Sequence, residues 1–403
     1  MTPRRTSRGG AARRFSPQRR ELATVKPLEL FFDLVFVLGF TQCTALMEAE
    51  PTWAGIARGL LVLAVLWWAW VGYAWLTSVI DPEEGVVRIA MFAAMAALLV
   101  VALCAPEAFG DRALTIAIAY GVVRAALVVL YLLASRDDAA LRRSVSMLAI
   151  SSTITVGLLT GASFLDGAGQ EALWALAIVL DFGAPAAFGV AGWRLVPAHF
   201  ADRHNLVIIL ALGESIVALG VGAQVDLTAG VLVAAVLGIA LASALWWVYF
   251  DVVTLVTERR LAVAAEGRQR NALARDSYSY LHFPMVAGII LGAFGLEATL
   301  AHVNDSLDAE RAFALLGGTA IYLLAHVALR LRNAHTVNVQ RLALAVALLV
   351  LIPAATAIPA LATLGAIDMA LWAMIAFETA RYGEGRYRLR HGLDLDPAPP
   401  GTV

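Results

Sequence analysis

Apolar runs of about 20 residues follow one another along almost the whole chain, with short polar segments between them. A run of that length crosses a bilayer as an α-helix, whereas the strands of a membrane β-barrel are shorter and alternate apolar with polar residues. The runs therefore predict an all-α polytopic membrane protein of about twelve transmembrane helices. The predicted spans are 28–47, 56–80, 86–106, 112–134, 143–164, 170–193, 204–223, 228–256, 277–300, 311–331, 341–359 and 361–381.

Similar strings recur in the two halves of the chain. Asp33 lies in ELFFDLVFVLG, and Glu214 lies in ILALGESIVALG, 181 residues further on. The strings LWW and ALWA also recur, in the same order and at nearly the same spacing. Because six is an even number, two copies of six helices enter the membrane in the same direction and are related by an axis along its normal. The pattern predicts two parallel six-helix repeats, at 23–200 and 201–384, with a cavity at the seam between them.

Composition supports the membrane assignment and orients the chain. The 403 residues are 60% hydrophobic, against about 45–50% apolar residues in soluble proteins, and the formal net charge is −1. If the N-terminus is cytoplasmic, nearly all of the 30 basic residues fall on the cytoplasmic side. The four exceptions are Arg58, Arg112, Arg124 and Arg311. We therefore expect a plasma-membrane protein with both termini cytoplasmic, a basic disordered tail at 1–22 and a second tail at 385–403.

Charged residues within the spans form the candidate site. Asp33, Asp181, Glu214 and Arg124 lie deep in their spans, Glu214 at about 15 Å for a rise of 1.5 Å per residue. A charge at such depth costs at least about 2.5–3.5 kcal/mol, so these groups must pair, hold a proton or line water. One arginine among three acids leaves a negative excess, which predicts protonated carboxyls or a bound cation. Further candidates for binding a substrate or a proton are Tyr120, Tyr322, His326, Glu29 and His282.

A structural interpretation of the same charges remains open. Arg124 would then neutralise Asp33 or Asp181, and His326 would neutralise Glu214, so that buried pairs only hold the helices in register. Acids nearer the predicted helix ends receive less weight, because solvation is easier there. They are Asp251, Glu297, Asp368 and Glu378.

Several chemistries lack their motifs in this sequence. It has no phosphate-binding glycine loop, no dinucleotide pattern, no zinc-type Cys/His spacing and no nucleophile elbow. We expect neither a cofactor nor a metal, and no nucleic-acid partner. The expected partners are the lipid bilayer and a small-molecule, ion or lipid substrate of unknown identity, and the sequence leaves an oligomer open.

Two strings resemble the hallmark helices of a known family. PLELFFDLVFVLGFTQ at 27–42 and HNLVIILALGESIVALG at 204–220 are similar to those of the bacterial low temperature requirement protein A (LtrA) family, and the resemblance extends over 23–390. It implies a multi-pass bacterial membrane protein from a family named for growth in the cold. The residues that match the hallmark strings are Glu29, Phe32, Asp33, Gly213, Glu214 and Ser215.

Three functions are compatible with these features. The leading hypothesis is a secondary transporter or proton-linked permease that uses the buried carboxylates. An alternative is a membrane-embedded enzyme that acts on a lipid or isoprenoid through general acid–base groups. A second alternative is a noncatalytic membrane factor that supports growth in the cold, and the sequence leaves open whether the protein is an enzyme.

Overall fold

In the computed structural model, which describes residues 24–83, 85–223 and 227–390, the chain is helical almost throughout. The α-helices are α1 Pro27–Ala49, α2 Trp53–Thr77, α3 Gly85–Cys104, α4 Ala113–Ala134, α5 Ala139–Ala162, α6 Gly167–Phe188, α7 Pro197–Gly222, α8 Ala229–Phe250, α9 Val253–Val263, α10 Arg268–Ala274, α11 His282–Ala301, α12 Ala309–Ala312, α13 Gly318–Ala334, α14 Val339–Ala355 and α15 Ala360–Arg390. Other helical turns are the 3₁₀ segment Ala105–Glu107 and the π segments Arg275–Tyr280 and Phe313–Gly317. The predicted tail at 1–22 lies outside the described residues, and the one at 385–403 continues α15 as far as Arg390.

The helices have the length and composition of membrane spans. Among the described residues, eleven helical segments are long and apolar enough to cross a bilayer. Val339–Ala355 is a shorter apolar helix of 17 residues, or about 25 Å at 1.5 Å per residue. The prediction of an all-α polytopic membrane protein is confirmed, whereas the internal repeat and the orientation of the termini stay predictions.

Large apolar side chains cover the outside of the helices. Ile89 in α3 is 69% exposed and Val236 in α8 is 70% exposed. Exposed apolar surface of this kind is typical of faces that contact a membrane or another protein. The charged residues within the spans are instead buried: Asp33, Arg124, Asp181 and Glu214 are each 1–2% exposed.

Several predicted boundaries differ from the observed ones, and two of these differences have a structural reason. Helix α7 begins at Pro197 instead of 204, because polar residues of its first turns, among them His199 and Arg203, are buried inside the protein. Hydropathy alone does not recognise such turns as part of a span. Helix α6 ends at Phe188 instead of 193, since Gly189 adopts a φ of 81°, a conformation that glycine tolerates and that ends a helix.

The described residues form two compact units. The first comprises 24–36 and Val65–Phe200, and the second comprises Val37–Ala64 and 201–390. Helices α1, α2 and α7 therefore contribute residues to both units. In the first unit α3 packs on α4, α4 on α5 and α5 on α6. In the second unit α11 packs on α13, α13 on α14 and α8 on α15.

Glycine allows a close contact between α11 and α13. A Cβ atom on Gly288 of α11 would lie 2.5 Å from the carbonyl oxygen of Gly318, where α13 begins. A Cβ atom on Gly318 would in turn lie 2.7 Å from the carbonyl oxygen of Gly288. Small residues at such crossings let the helix backbones approach closely, which favours association inside a bilayer.

This contact yields a prediction about stability. We expect Gly288→Ala to lower the free energy of unfolding by about 1–3 kcal/mol, the usual range for overpacking, because the new methyl group meets a backbone oxygen. Gly292→Ala in the same helix is the matched control, since its Cβ would have nothing within 4 Å. It should leave stability unchanged or raise it by up to about 1 kcal/mol through helix propensity. Titration with a denaturing detergent measures the stability of both variants. An equal loss of stability in the two variants would show that the contact of Gly288 with Gly318 is not the cause.

A buried cap fixes the start of α5 in the first unit. Asp138 accepts a hydrogen bond from the Leu141 backbone N–H at 3.1 Å and from Arg194 Nε at 2.8 Å. The Leu141 N–H, together with the Arg194 guanidinium, holds the pKa of Asp138 below its usual range. A carboxylate whose pKa is lower in the folded protein than in the unfolded chain stabilises the fold once it is ionised.

The sign of this linkage gives a pH prediction. The stabilisation by Asp138 is fully present above the ordinary aspartate pKa of about 3.9 and is lost as the pH falls through the lowered value. Asp138→Asn keeps a capping oxygen but removes the charge. We therefore expect a Tm difference between wild type and this variant that is constant near neutral pH and narrows below about pH 4. The exposed neighbour serves as control: Asp137→Asn should show no such narrowing.

Candidate functional site

An ion pair is buried among α4, α5 and α6 of the first unit. Arg124 Nη2 lies 2.9 Å from Asp181 Oδ1, and both side chains are almost fully buried. Arg124 Nε also donates to Ser152, while the Ser151 hydroxyl donates to the same Asp181 oxygen at 3.0 Å. The Arg124 guanidinium carbon lies 5.9 Å from the Tyr120 ring centroid, in a cation–π contact. The structure thus brings three predicted residues together, with the charge of Arg124 neutralised by Asp181.

Asp33 lies in the same unit, on the face of α1 that meets α2. Its side chain is 1% exposed, and its Oδ1 accepts a hydrogen bond of 2.9 Å from Trp70 Nε1. Trp70 stacks on Trp67 with the ring centroids 5.1 Å apart. The tryptophan-rich string of the second span therefore places an indole N–H against the acid of the first span.

A third polar chain, which the sequence analysis missed, joins Glu29 to His199 and Ser78. His199 Nε2 lies 2.8 Å from Glu29 Oε1, and His199 Nδ1 lies 3.0 Å from the Ser78 hydroxyl. All three side chains are buried. The signal was present in HFADRH at 199–204, whose polar residues recur at helical spacing, but the predicted start of the span excluded His199.

Glu214 lies in the second unit, about two turns before the end of α7. Because α7 begins at Pro197, Glu214 lies seventeen residues after the helix start, and not ten as a span starting at 204 predicted. Its side chain is 1% exposed. Thr41 Oγ1 donates to Oε2 at 2.6 Å, and Thr44 Oγ1 donates to Oε1 at 2.8 Å. Both threonines lie on α1, so the carboxyl group is held by two neutral hydroxyls.

Glu214 differs in this respect from Glu378 and Asp251, two other buried acids of the second unit. Glu378 pairs with Arg341 at 3.0 Å and with Arg386 at 2.9 Å, and Arg386 also pairs with Asp251 at 2.6 Å. Within the described parts of the chain, no basic side chain forms a salt bridge with Glu214. The expected pairing of His326 with Glu214 is not among the contacts of either residue. Glu378 and Asp251 thus have the charge balance of structural groups, which Glu214 lacks.

Asp368 is a second buried acid whose charge no described residue neutralises. Its position near a predicted helix end had made it a weak candidate. It is 4% exposed on α15, and neither of its oxygens has a hydrogen-bond partner among the described residues. The sequence placed it near a helix end, where water would solvate it. In the structure it is buried, eight residues after the start of α15 at Ala360.

His282 and Tyr249 form a hydrogen-bonded chain in the second unit. His282 Nδ1 donates to the Ser277 carbonyl at 2.8 Å, and its Nε2 lies 2.7 Å from the Tyr249 hydroxyl. The same hydroxyl lies 3.0 Å from Asn205 Oδ1. Since a phenol has one proton, it donates either to a neutral His282 or to Asn205, and the second choice requires a proton on His282 Nε2. His282 is thus buried and bonded at the first residue of α11, two residues after the π segment Arg275–Tyr280, a type of segment frequent at functional sites.

His326 and Tyr322 lie close to this chain. The Tyr322 hydroxyl donates to the Leu245 carbonyl at 2.8 Å, and His326 Nδ1 donates to the Tyr322 carbonyl at 2.9 Å. The His326 ring lies 6.0 Å from the Tyr249 ring, and its Nε2 makes no hydrogen bond to a described residue. The predicted residues His282, Tyr322 and His326 therefore form one cluster with Tyr249.

The predicted residues thus fall into separate groups. Asp33, Glu29 and the pair of Arg124 with Asp181 belong to the first unit, and Glu214 belongs to the second. The shared seam for Asp33 and Glu214 therefore stays a prediction. In the described ranges, no group of three or more His, Cys, Asp or Glu side chains is arranged to hold a metal ion.

Comparison with known proteins identifies a family and a relative of this chain. Residues 24–376 match the model of the bacterial low temperature requirement A protein (LtrA). A protein of Rhizobium meliloti (strain 1021), described as "Uncharacterized protein RA0937", is 30% identical over 382 residues, which cover 88% of this chain and 90% of that protein. No solved structure matches the chain at a significant level.

The ion pair of the first unit gives a prediction about stability. Asp181→Asn leaves the Arg124 charge buried without its partner, so we expect a loss of about 3–5 kcal/mol in the free energy of unfolding. The double variant Arg124→Leu with Asp181→Leu removes both charges and should be closer to wild type, because apolar residues often replace a buried pair without loss. Detergent-induced unfolding compares the three proteins. If the double variant is less stable than Asp181→Asn, the two side chains contribute more to stability than the neutralisation of each other's charge.

Proposed function

The chain belongs to the bacterial low temperature requirement A family, and we propose that it is a proton-linked secondary transporter of the bacterial plasma membrane in which Glu214 carries the proton. The observation that supports this proposal is the setting of Glu214. It is a buried carboxyl group with two hydroxyl donors and no salt bridge to a described residue. A carboxyl group in such a setting can gain and lose a proton without breaking an ion pair.

The two threonines suit both protonation states of Glu214. When the carboxyl group is ionised, Thr41 and Thr44 donate to its two oxygens. Each hydroxyl also has a backbone acceptor within reach, the Val37 carbonyl at 3.2 Å for Thr41 and the Thr41 carbonyl at 2.8 Å for Thr44. When Glu214 is protonated, its O–H can donate to one hydroxyl, and that hydroxyl turns to its backbone acceptor.

This exchange lowers the energetic difference between the two states. An ionised carboxylate without hydrogen bonds in an apolar interior is very unfavourable, and each hydrogen bond to a charged group contributes about 1.5–3 kcal/mol. Because the hydroxyls can rotate, the two Glu214 oxygens and the hydroxyls of Thr41 and Thr44 all keep a hydrogen-bond partner in either protonation state. A side chain that is satisfied in both states can load and release a proton during a transport cycle, as an ion-paired acid such as Asp181 cannot.

The enzyme alternative has one observation in its favour. Ser78, His199 and Glu29 follow the order of nucleophile, base and acid found in acyl-transfer triads. Ser78, however, is only 2% exposed, so a lipid carbonyl could not reach its hydroxyl without a rearrangement. The chain is equally suited to holding the beginning of α1 against that of α7, and we therefore prefer the transport function.

Reconstitution into liposomes tests this function. The full-length protein is placed in liposomes that contain a pH-sensitive dye, a proton gradient is imposed, and mixtures of amino acids, sugars, organic acids and inorganic ions are added in turn. We expect wild type to move protons in response to at least one class of solute. Glu214→Gln cannot change its protonation state and should reduce this flux to the level of empty liposomes.

A matched variant separates the role of Glu214 from general damage. Glu266→Gln makes the same chemical change at an exposed loop position, where the carboxylate is 87% exposed, and should transport like wild type. Equal solute-dependent proton flux in wild type and Glu214→Gln would reject the role of Glu214. The absence of such a flux in wild type for every class of solute would reject the transport function itself.

A further inference from the structure

A cavity of about 220 Å³ opens at one end of the second unit, where α9, α10 and α13 meet. The positive-inside pattern predicts that this end is cytoplasmic. The cavity is lined by Arg260, Val263, Ala264, Gln269, Leu273, Arg332, Asn333 and His335. Its polar lining groups are hydrogen-bond donors or cations, and none of the lining residues is acidic.

The exposed polar residues of the lining have few competing contacts. Arg260 and Gln269 make no ion pair or side-chain hydrogen bond to any residue in the described ranges. Arg332 donates through Nε to Asp276 at 3.0 Å, which leaves its two terminal nitrogens for another acceptor. Asp276 also pairs with Arg275 at 2.7 Å, so this carboxylate only partly offsets the positive charge of the cavity.

A buried amide lies among these lining residues. Asn333 is 8% exposed, and its Oδ1 accepts a hydrogen bond of 2.7 Å from the Ser277 hydroxyl. Its Nδ2 has no hydrogen-bond partner among the described residues. A buried donor without an acceptor is unfavourable, and an acceptor bound in the cavity would satisfy it.

The backbone places His335 beside this amide. His335 ends α13 with a φ of 54°, and it is the one non-glycine residue with positive φ in the described chain. Such a conformation is uncommon outside glycine and asparagine, so the turn is fixed by its surroundings. The arginines also offset the negative ends of α9 and α13. That role does not account for the two amide side chains that line the same space.

We propose that this cavity binds a phosphate group, carried either by an anionic lipid headgroup or by a free phosphate. Guanidinium and amide N–H groups match the oxygens of a phosphate, and basic pockets between transmembrane helices are known to hold lipid headgroups. Val263, which is 80% exposed, and Leu273 supply an apolar border suited to the glycerol and acyl part of a lipid. This site is separate from Glu214, and its test does not depend on transport.

Calorimetric titration of the purified full-length protein distinguishes the two sources. The probes are inorganic phosphate, short-chain phosphatidylglycerol and short-chain phosphatidylcholine, each added to the protein in neutral detergent. Saturable binding of inorganic phosphate indicates a site for the free anion. Binding of phosphatidylglycerol without binding of inorganic phosphate indicates a headgroup site. The proposal is wrong if neither inorganic phosphate nor phosphatidylglycerol binds. It is also wrong if phosphatidylcholine binds with the same affinity as phosphatidylglycerol.

Two variants with a matched control locate the binding. Arg260→Gln removes one cation and should weaken binding at least about tenfold, as expected for a lost charge-assisted hydrogen bond. Asn333→Asp keeps the acceptor for Ser277 but replaces the Nδ2 donor with a negative charge, and should abolish binding. Arg259→Gln is the control, because Arg259 is exposed and does not line the cavity. If Arg259→Gln weakens binding as much as Arg260→Gln, the effect is one of net charge and the cavity is not the site.

Discussion

Charge compensation in an apolar surrounding is the constraint on which this structure depends. Most of these helices are long and apolar enough to cross a membrane, where a buried charge needs an opposite charge, strong hydrogen bonds or a proton. Arg124 with Asp181 in the first unit and Arg341 with Glu378 in the second satisfy it by pairing. The first pair joins α4 to α6 and the second joins α14 to α15, so each pair fixes one contact between two helices.

Glu214 satisfies the same constraint differently, and this difference separates structural from functional acids. Among the described residues, Glu214 has two hydrogen bonds but no opposite charge to neutralise it. Asp368 has no hydrogen bond and no opposite charge there. Such groups are costly for a purely structural role, because a neutral side chain would fit the same space at lower energy. Their presence is better explained by a task that needs a change of charge, which is the basis for proposing proton-linked transport.

Aromatic and small residues set the distances between the helices and around their polar groups. Trp70 reaches Asp33 with an N–H group while its rings exclude water, and the contact of Gly288 with Gly318 draws α11 and α13 together. Close packing in the second unit keeps His282 and Tyr249 within 2.7 Å of each other. At one end of that unit the helices leave a basic cavity. In our proposal a bound phosphate neutralises the positive charge of its arginines.

The sequence by itself determined the helical membrane fold, the approximate spans and the family, because apolar runs of bilayer length and two hallmark strings are local features. It also indicated Arg124, Asp181 and Glu214 as deep charges, since depth follows from position along a helix. The sequence could not decide which charges neutralise each other. Pairing of Arg124 with Asp181, the threonine donors of Glu214 and the link from Glu29 to His199 depend on which helix faces are in contact. Only the tertiary structure decided these contacts, because they join residues separated by 57 to 173 positions in the chain, and no local pattern records such distances.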